Sequence, residues 1–429
     1  MNFIKQIWNS KDLRKKILFT VGVLVFYRIL TQISLPGVNL VNLQKIFEAN
    51  QFLSLFSVLT GGSAENFSII LMGLSPYINA SIIIQLLTVI VPKFESLSKE
   101  GDQGRRTLNS YTRWLTLPLA FLQSYGMIVL LNSQSQLPII ENLGDPMVIL
   151  PIMLTVTAGT VLLMWLGELV TEIGIGNGTS IIILAGIIAS LPAQIAQSLA
   201  LSTSNSEQLI PLLIMFLVTL GLTILAILIT EGVRKIPITY ASRGAKGQMS
   251  NLPLRINQAG MIPIIFAVSV VAFPTILAQL AQQSTNPTLL AISEFIVSNL
   301  SVNSPAYLTI YFVLILAFTF FYVSITFKPE EVAENIQKRG GYVPGIRPGQ
   351  PTAEFLHKVS NRLNLFGGFF LALIAILPVL IQNTFTSLNL GSAPILISGA
   401  GLIIITGVTL DLLRQINAQM IMHDYNKLI

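Results

Sequence analysis

Long apolar runs separated by short polar stretches dominate the chain from end to end. Crossing a membrane takes about 20 mainly apolar residues in an α-helix, and runs of that kind recur ten times. They lie at 17–35, 68–91, 114–131, 147–166, 179–200, 209–230, 259–281, 306–327, 363–382 and 394–413. None shows the strict alternation of a membrane β-barrel strand. The pattern therefore predicts an all-α membrane protein with ten transmembrane helices.

Basic residues are concentrated in alternate connections between these spans. All of the 25 lysines and arginines except Arg28 and Lys45 lie before span 1, after span 10, or between spans 2 and 3, 6 and 7, and 8 and 9. Because basic connections stay in the cytoplasm, the asymmetry predicts that both termini are cytoplasmic. Arg28 lies toward the outer end of span 1, where its long side chain either reaches the membrane surface or serves an intramembrane function.

The ten spans divide into two halves of five, at 1–200 and 209–429, joined by the polar stretch 201–208. Because five is an odd number, the second half enters the membrane from the opposite side. If the halves are related units, they are therefore inverted, a common design in proteins that move a substrate across membranes. No clear sequence repeat accompanies this geometric inference.

A shorter apolar stretch at 52–60 precedes span 2 and ends at Gly61-Gly62. Its length is about half of what a membrane crossing needs, and the two glycines break it from the sequence that follows. We expect a re-entrant helix that enters from the outer side. It would serve either as a packing element or as a movable stopper, with its apolar side chains at Phe52, Leu55, Phe56 and Leu59.

Composition narrows the class of function. The chain is 52% hydrophobic, only 10% charged and free of cysteine, with a mean hydropathy of +0.72, so disulfides and thiolate sites are excluded. The motif GIGNGTS at 174–180 does not match a nucleotide-binding glycine loop, and no hydrolase motif occurs. We therefore expect no enzyme and no cofactor.

The centres of the spans are nearly free of charge. An ion-coupled or proton-coupled carrier normally needs ionisable groups there, which disfavours an inverted-repeat secondary transporter. A passive conduit with an apolar constriction and a non-transporting membrane scaffold remain as alternatives from this reasoning.

Five motifs, distributed in order along the chain, resemble those of the SecY family. They are SPYINASIIIQLLT, EGDQGRRTLNSYTRW, MWLGELVTEIGIGNGTSIII, LPLRINQAGMIPIIFA and GGYVPGIRPGQPT. The resemblance implies the central channel of the Sec preprotein translocase in the bacterial plasma membrane. Such a channel passes unfolded preproteins across the membrane and releases transmembrane segments sideways through a lateral gate.

The resemblance also assigns residues. The stretch at about 52–66 is the plug, which includes Phe52, Leu55, Phe56, Leu59, Gly61 and Gly62. An apolar pore ring falls on Leu74, Ile78, Thr179, Ile183, Ile265 and Ile404. At Thr179 a threonine stands where the family usually has an aliphatic residue. The lateral gate, between spans 2 and 7, has polar positions at Gln85 and Asn257, and each amide could equally serve helix packing alone.

Two basic loops, 232–257 and 328–362, are implied to dock the motor ATPase SecA and the ribosome. Their residues are Arg243, Lys246, Arg255, Lys338, Arg339 and Arg347. From physics alone these loops are solvated anchors, and the prolines and glycines in 328–362 predict a stiff, turn-rich projection. The other implied partners are the small subunits SecE and SecG, preprotein signal sequences and membrane lipids.

Overall fold

The structure is a computed structural model that describes residues 10–36, 38–40, 42–43, 47, 57, 60–133, 139–140, 145–204, 209–240, 248–282, 286–301, 304–387 and 397–426. The first half contains the helices α1 (Lys11–Gln32), α2 (Ser75–Ile90), α3 (Pro92–Lys99), α4 (Asp102–Ser133), α5 (Pro146–Ile173) and α6 (Gly178–Ser204). The second half contains α7 (Leu209–Glu231), β1 (Val233–Tyr240), β2 (Gln248–Arg255), α8 (Ile262–Ala281), α9 (Pro287–Asn299), α10 (Pro305–Thr326), α11 (Pro329–Lys338), β3 (Gly341–Tyr342), α12 (Gln350–Ser387) and α13 (Gly399–Asn426).

Each of the ten predicted spans falls on one of these helices, namely α1, α2, α4, α5, α6, α7, α8, α10, α12 and α13. Among the described residues, seven helices are long and apolar enough to cross a membrane without help from a neighbour. Helix α2 reaches that length only together with α3, across a bend of 99°. The helical, multi-pass membrane fold is thus confirmed, and the number of crossings stays a prediction.

The helices can be described as two groups, one on each side of the stretch 201–208, and the division into two related halves stays a prediction. In the first group α2 packs on α4, α4 on α5, and α5 on both α6 and α1. In the second group α10 packs on α8 and α12, and α13 on α7 and α12. The groups meet along two seams: α8 contacts α2 and α4 on one side, and α6 contacts α13 and α7 on the other.

A small antiparallel sheet lies in the basic connections, where the sequence predicts loops. Strands β1 and β2 form a hairpin from Val233↔Arg255 to Tyr240↔Gln248. The short strand β3 pairs with the far end of β1, at Thr239↔Tyr342 and Tyr240↔Gly341. The strand order is β2-β1-β3, so the connections 232–257 and 328–362 form one structural unit.

This unit, which we call the platform, consists of β1–β3, α11 and the first turns of α12. It has an apolar core of its own, formed by Ile236, Leu254, Ala333, Val343, Ala353, Leu356 and Val359. The prediction that 328–362 is stiff agrees with this core, but the stretch is less of a loop than expected. Helix α11 lies within it, and α12 begins at Gln350.

Candidate functional site

Five of the six residues assigned to the pore ring come together in one apolar cluster. Leu74, Ile183 and Ile404 are buried in its core, and Ile78 and Ile265 pack against it. These five residues belong to α2, α6, α8 and α13 or to the turn just before α2, so the cluster joins the two helix groups. Ile70 and Ile187 are also fully buried in it. We call these seven side chains the central cluster.

Thr179, the sixth ring candidate, lies in the first turn of α6, one helical turn before Ile183. Its hydroxyl donates to Oδ1 of Asn177 at 2.6 Å, and its methyl carbon lies within packing distance of Gly167 on α5. The polar group of Thr179 is therefore satisfied within its own turn. A threonine here adds no unpaired hydroxyl to the central cluster.

The plug segment is described at Ser57 and from Thr60 onward; Phe52, Leu55, Phe56 and Leu59 lie outside the described residues. Thr60 ends the helical part, and Gly61 and Gly62 follow with φ of 70° and 80°. Gly62 donates its N–H to the carbonyl of Ser57 at 2.9 Å. This bond across a left-handed glycine is the Schellman arrangement that ends a helix. The two glycines therefore lie where a helix ends, as the sequence predicts.

Two side chains of α1 bind the end of this helix. The Tyr27 hydroxyl donates to the Thr60 carbonyl at 3.2 Å, and Arg28 donates to the Gly61 carbonyl at 3.0 Å. The Arg28 side chain is exposed, and whether it reaches the membrane surface stays a prediction. It also has a specific partner, which the sequence did not indicate.

The two amides assigned to the lateral gate lie on α2 and in the turn before α8. Gln85 Nε2 donates to Ser81 Oγ at 3.2 Å, one turn earlier on α2. Asn257 Oδ1 accepts from the Gly260 N–H at 2.9 Å, just before α8 begins. Between these two described side chains the structure shows no hydrogen bond, so both amides stabilise their own segments. The contact across the seam is apolar, with Ile78 and Ile265 packed on the same cluster.

Arg347 projects from a tight loop at the edge of the platform. Gly345 and Gly349 on either side have φ of 83° and 93°, values that favour glycine. The Thr352 hydroxyl donates to the Arg347 carbonyl at 2.8 Å, so the first turn of α12 fixes the loop. The backbone is held while the guanidinium stays exposed, which makes Arg347 available to a partner.

The other residues assigned to docking differ in their surroundings. Lys338, at the end of α11, pairs with Glu334 at 2.7 Å, and Arg339 is exposed directly after it. Arg255, the last residue of β2, lies 3.9 Å from Asp411 on α13. Arg243 and Lys246 belong to the hairpin tip, which lies outside the described residues.

An ion-pair network at the base of the hairpin was not predicted. Arg414 on α13 binds Glu231 at 2.6 Å and Asp411 at 3.1 Å, and it donates to the carbonyl of Thr230 at 3.2 Å. It therefore links the end of α7, from which the hairpin starts, to the helix that supplies Ile404. Only the opposite charges of Glu231 and Arg414 could have signalled this, because the two residues are 183 positions apart.

Comparisons with known proteins agree with this architecture. The SecY family model matches residues 68–413. The Protein translocase subunit SecY of Halalkalibacterium halodurans is 40% identical over 437 residues, which cover 99% of each chain. A solved SecY channel, whose plug domain is described as stabilising the closed state, has a TM-score of 0.68 at 18% identity and covers 94% of this chain and 92% of its own. Sec61 in the canine ribosome–channel complex has a TM-score of 0.64 at 17% identity, with the same coverage. The match over nearly the whole chain, together with the fold, shows that this chain belongs to the SecY family.

Proposed function

We propose that the chain is the protein-conducting subunit of a bacterial Sec translocase. Unfolded preproteins would pass through the central cluster, and transmembrane segments would leave sideways between α2 and α8. The observation that carries the proposal is the convergence of Leu74, Ile183 and Ile404, from three separate parts of the chain, on one buried apolar cluster between the helix groups.

An apolar constriction of this kind suits a cargo of variable sequence. Aliphatic side chains pack without directional preference and offer no hydrogen bond that would hold a passing backbone. When the channel is empty, a tightly packed aliphatic ring excludes water, and with it ions. Because Ile78 and Ile265 belong to different helix groups, separation of the groups would open the ring and the gate together.

The gate assignment rests on how the two seams differ. Between α2 and α8 the cluster contributes apolar packing, and Gln85 and Asn257 bond within their own segments. Helices are in direct contact at both seams, but only at the opposite one does the chain itself pass across, from α6 to α7. A seam without a covalent connection or cross-seam hydrogen bonds at its polar positions is the one suited to open.

The energy for transport would come from partners, since the chain itself is proposed to catalyse no reaction and to bind no cofactor. The platform presents Arg347, Lys338 and Arg339 in exposed positions, where polyanionic ribosomal RNA or the motor ATPase SecA could bind. The Sec61 structure that shares this fold was solved within a ribosome–channel complex. SecE and SecG are the proposed small subunits, and the plasma membrane, with both termini cytoplasmic, is the proposed location.

Removal of the plug tests the proposal directly. Deletion of residues 55–65 in a reconstituted complex should raise the resting ion conductance and leave much of the protein transport intact, because the plug seals the channel without carrying cargo. Conductance across vesicles and uptake of a labelled preprotein measure the two effects. An unchanged conductance would contradict the plug assignment.

Copurification tests the partners separately. After solubilisation in a mild detergent, we expect two small membrane proteins to remain bound and SecA to associate with the complex. A chain that purifies alone and does not bind the motor would contradict the translocase assignment, whatever its conductance.

A further inference from the structure

Two consecutive carbonyl groups at the end of the plug helix receive hydrogen bonds from two consecutive side chains of α1. Tyr27 binds the Thr60 carbonyl and Arg28 binds the Gly61 carbonyl. Arg28 also lies 3.5 Å from the Thr31 hydroxyl, which itself donates to the Arg28 carbonyl at 2.7 Å. The arginine is therefore oriented by its own helix toward the plug.

These bonds place a positive charge at the C-terminal end of a helix. The last carbonyls of a helix have no partner within the helix, and that end carries a partial negative charge. The Schellman bond satisfies the Ser57 carbonyl and leaves those of Thr60 and Gly61 to outside donors. A guanidinium is well suited to bind there because it cannot lose its charge and donates several bonds.

Gly61 is also in close contact with α6. A side chain at Gly61 would lie 2.6 Å from the Cα of Gly186 on α6 and would also collide with the Tyr27 hydroxyl. The end of the plug helix is thus enclosed between α1 and α6. Asn66, farther along, donates to the Thr31 carbonyl at 3.2 Å, so α1 binds the chain on both sides of the glycine break.

We propose that Tyr27 and Arg28 are positioning residues that hold the plug in its closed position. This proposal rests on the plug function proposed above. If the plug helix leaves the channel, both carbonyl bonds break and the Arg28 charge loses its partner. The pair therefore sets how readily the channel opens, independently of the central cluster itself.

The test is the resting ion conductance of the reconstituted complex. We expect Arg28→Gln to raise the leak about ten-fold and Tyr27→Phe about three-fold, because loss of a charged hydrogen bond has the larger effect. Arg28→Lys, which keeps the charge and an N–H donor on a shorter side chain, should restore most of the seal. The matched control is Ile29→Ala, whose side chain is exposed on the next position of α1 and should leave the leak unchanged.

The same substitutions in the variant that lacks residues 55–65 separate the possible causes. If the pair acts through the plug, Arg28→Gln adds nothing to the leak of the deletion. An equal increase in both backgrounds would show that Arg28 stabilises the helix bundle instead, and would overturn the proposal.

Two other results would also overturn it and are distinguishable. If the deletion raises the leak but Arg28→Gln and Tyr27→Phe do not, the plug function stands and the role of the pair is refuted. If the deletion itself causes no leak, the plug function fails, and the role of the pair fails with it. Tyr27→Phe keeps the ring of a buried residue, so it remains a usable variant if Arg28→Gln folds poorly.

Discussion

The central cluster and the platform are held together in opposite ways. The central cluster consists of aliphatic side chains from elements far apart in the sequence, and it is stabilised by packing alone. The platform combines a hydrogen-bonded sheet, an apolar core and fixed turns. Apolar packing is non-directional, whereas sheet hydrogen bonds require one geometry. The region proposed to deform around cargo therefore lacks directional bonds, and the region proposed to bind the motor has many of them.

The largest effect should come from the exposed tip of the platform. We expect Arg347→Glu to abolish most motor-driven transport while folding and membrane insertion stay intact, because the side chain is exposed and only its carbonyl is used by the fold. ATP-dependent uptake of a preprotein measures this. Lys358→Glu, an exposed reversal of the same charge on α12, is the control. Normal uptake by Arg347→Glu would remove this residue from the docking surface.

The next effect concerns the proposed seal by the plug segment. Gly61→Ala should raise the resting conductance about ten-fold, because the added carbon would collide with Gly186 and displace the plug end, as overpacking commonly costs about 1–3 kcal/mol. Gly62→Ala is the matched control: its φ is equally left-handed, at 80°, but nothing lies within 4 Å. Equal leaks in both variants would show that backbone strain, and not the contacts with Gly186 and Tyr27, is responsible.

A smaller effect is expected where the platform meets the bundle. Arg414→Gln removes the ion pairs to Glu231 and Asp411, and we expect a loss of about 1 kcal/mol in stability, because partial exposure weakens each bond. Transport per ATP hydrolysed should fall about two-fold to five-fold, while motor binding is unchanged. If binding and transport fell together, the network would serve docking and not the link to α13.

Arg414→Lys and Glu231→Gln refine that experiment. Lysine keeps the charge but lacks the planar fork that allows arginine to bind three acceptors, so an intermediate result is expected. A double variant of Arg414→Gln and Glu231→Gln should cost less than the sum of the single changes, since the two residues share one interaction.

The smallest effect should follow removal of an exposed pair on the platform. Lys338→Ala breaks the ion pair with Glu334, and because both side chains are well exposed we expect a change in melting temperature within measurement error. Any reduction in motor or ribosome binding by this variant would then report a direct contact. A clear drop in stability would show that α11 needs the pair to hold its place on the platform.

The sequence was most informative where a property is local. Apolar length predicted a helix for each span, and the glycine pair correctly marked a helix end at Thr60. The sheet was missed because prolines disfavour a strand, and β1 and β2 contain Pro237 and Pro253. In the structure Pro237 lies outside the short region in which β1 pairs with β3, so the missing N–H costs no bond on that side.

Long-range partners could not be predicted from the sequence. Nothing near Arg28 indicates a bond to Gly61, and nothing near Arg414 indicates one to Glu231. Five of the six residues that the motif resemblance assigns to the ring lie in or against one cluster, and their role as a pore ring stays a prediction. The resemblance did not indicate that Thr179 would satisfy its hydroxyl on Asn177, since that depends on the local turn of this chain.

The bend of 99° between α2 and α3 restricts how the proposed gate could move. Helix α3 turns away from the axis of α2 at Pro92, and its Phe94 packs against Tyr111 on α4, with ring centroids 5.7 Å apart. An L-shaped element anchored in this way cannot slide along its long arm, because the short arm would have to travel with it. If the proposed gate opens between α2 and α8, we expect α2 to tilt or swivel about its corner, so cargo of different width would be accommodated by the angle of the helix and not by its depth.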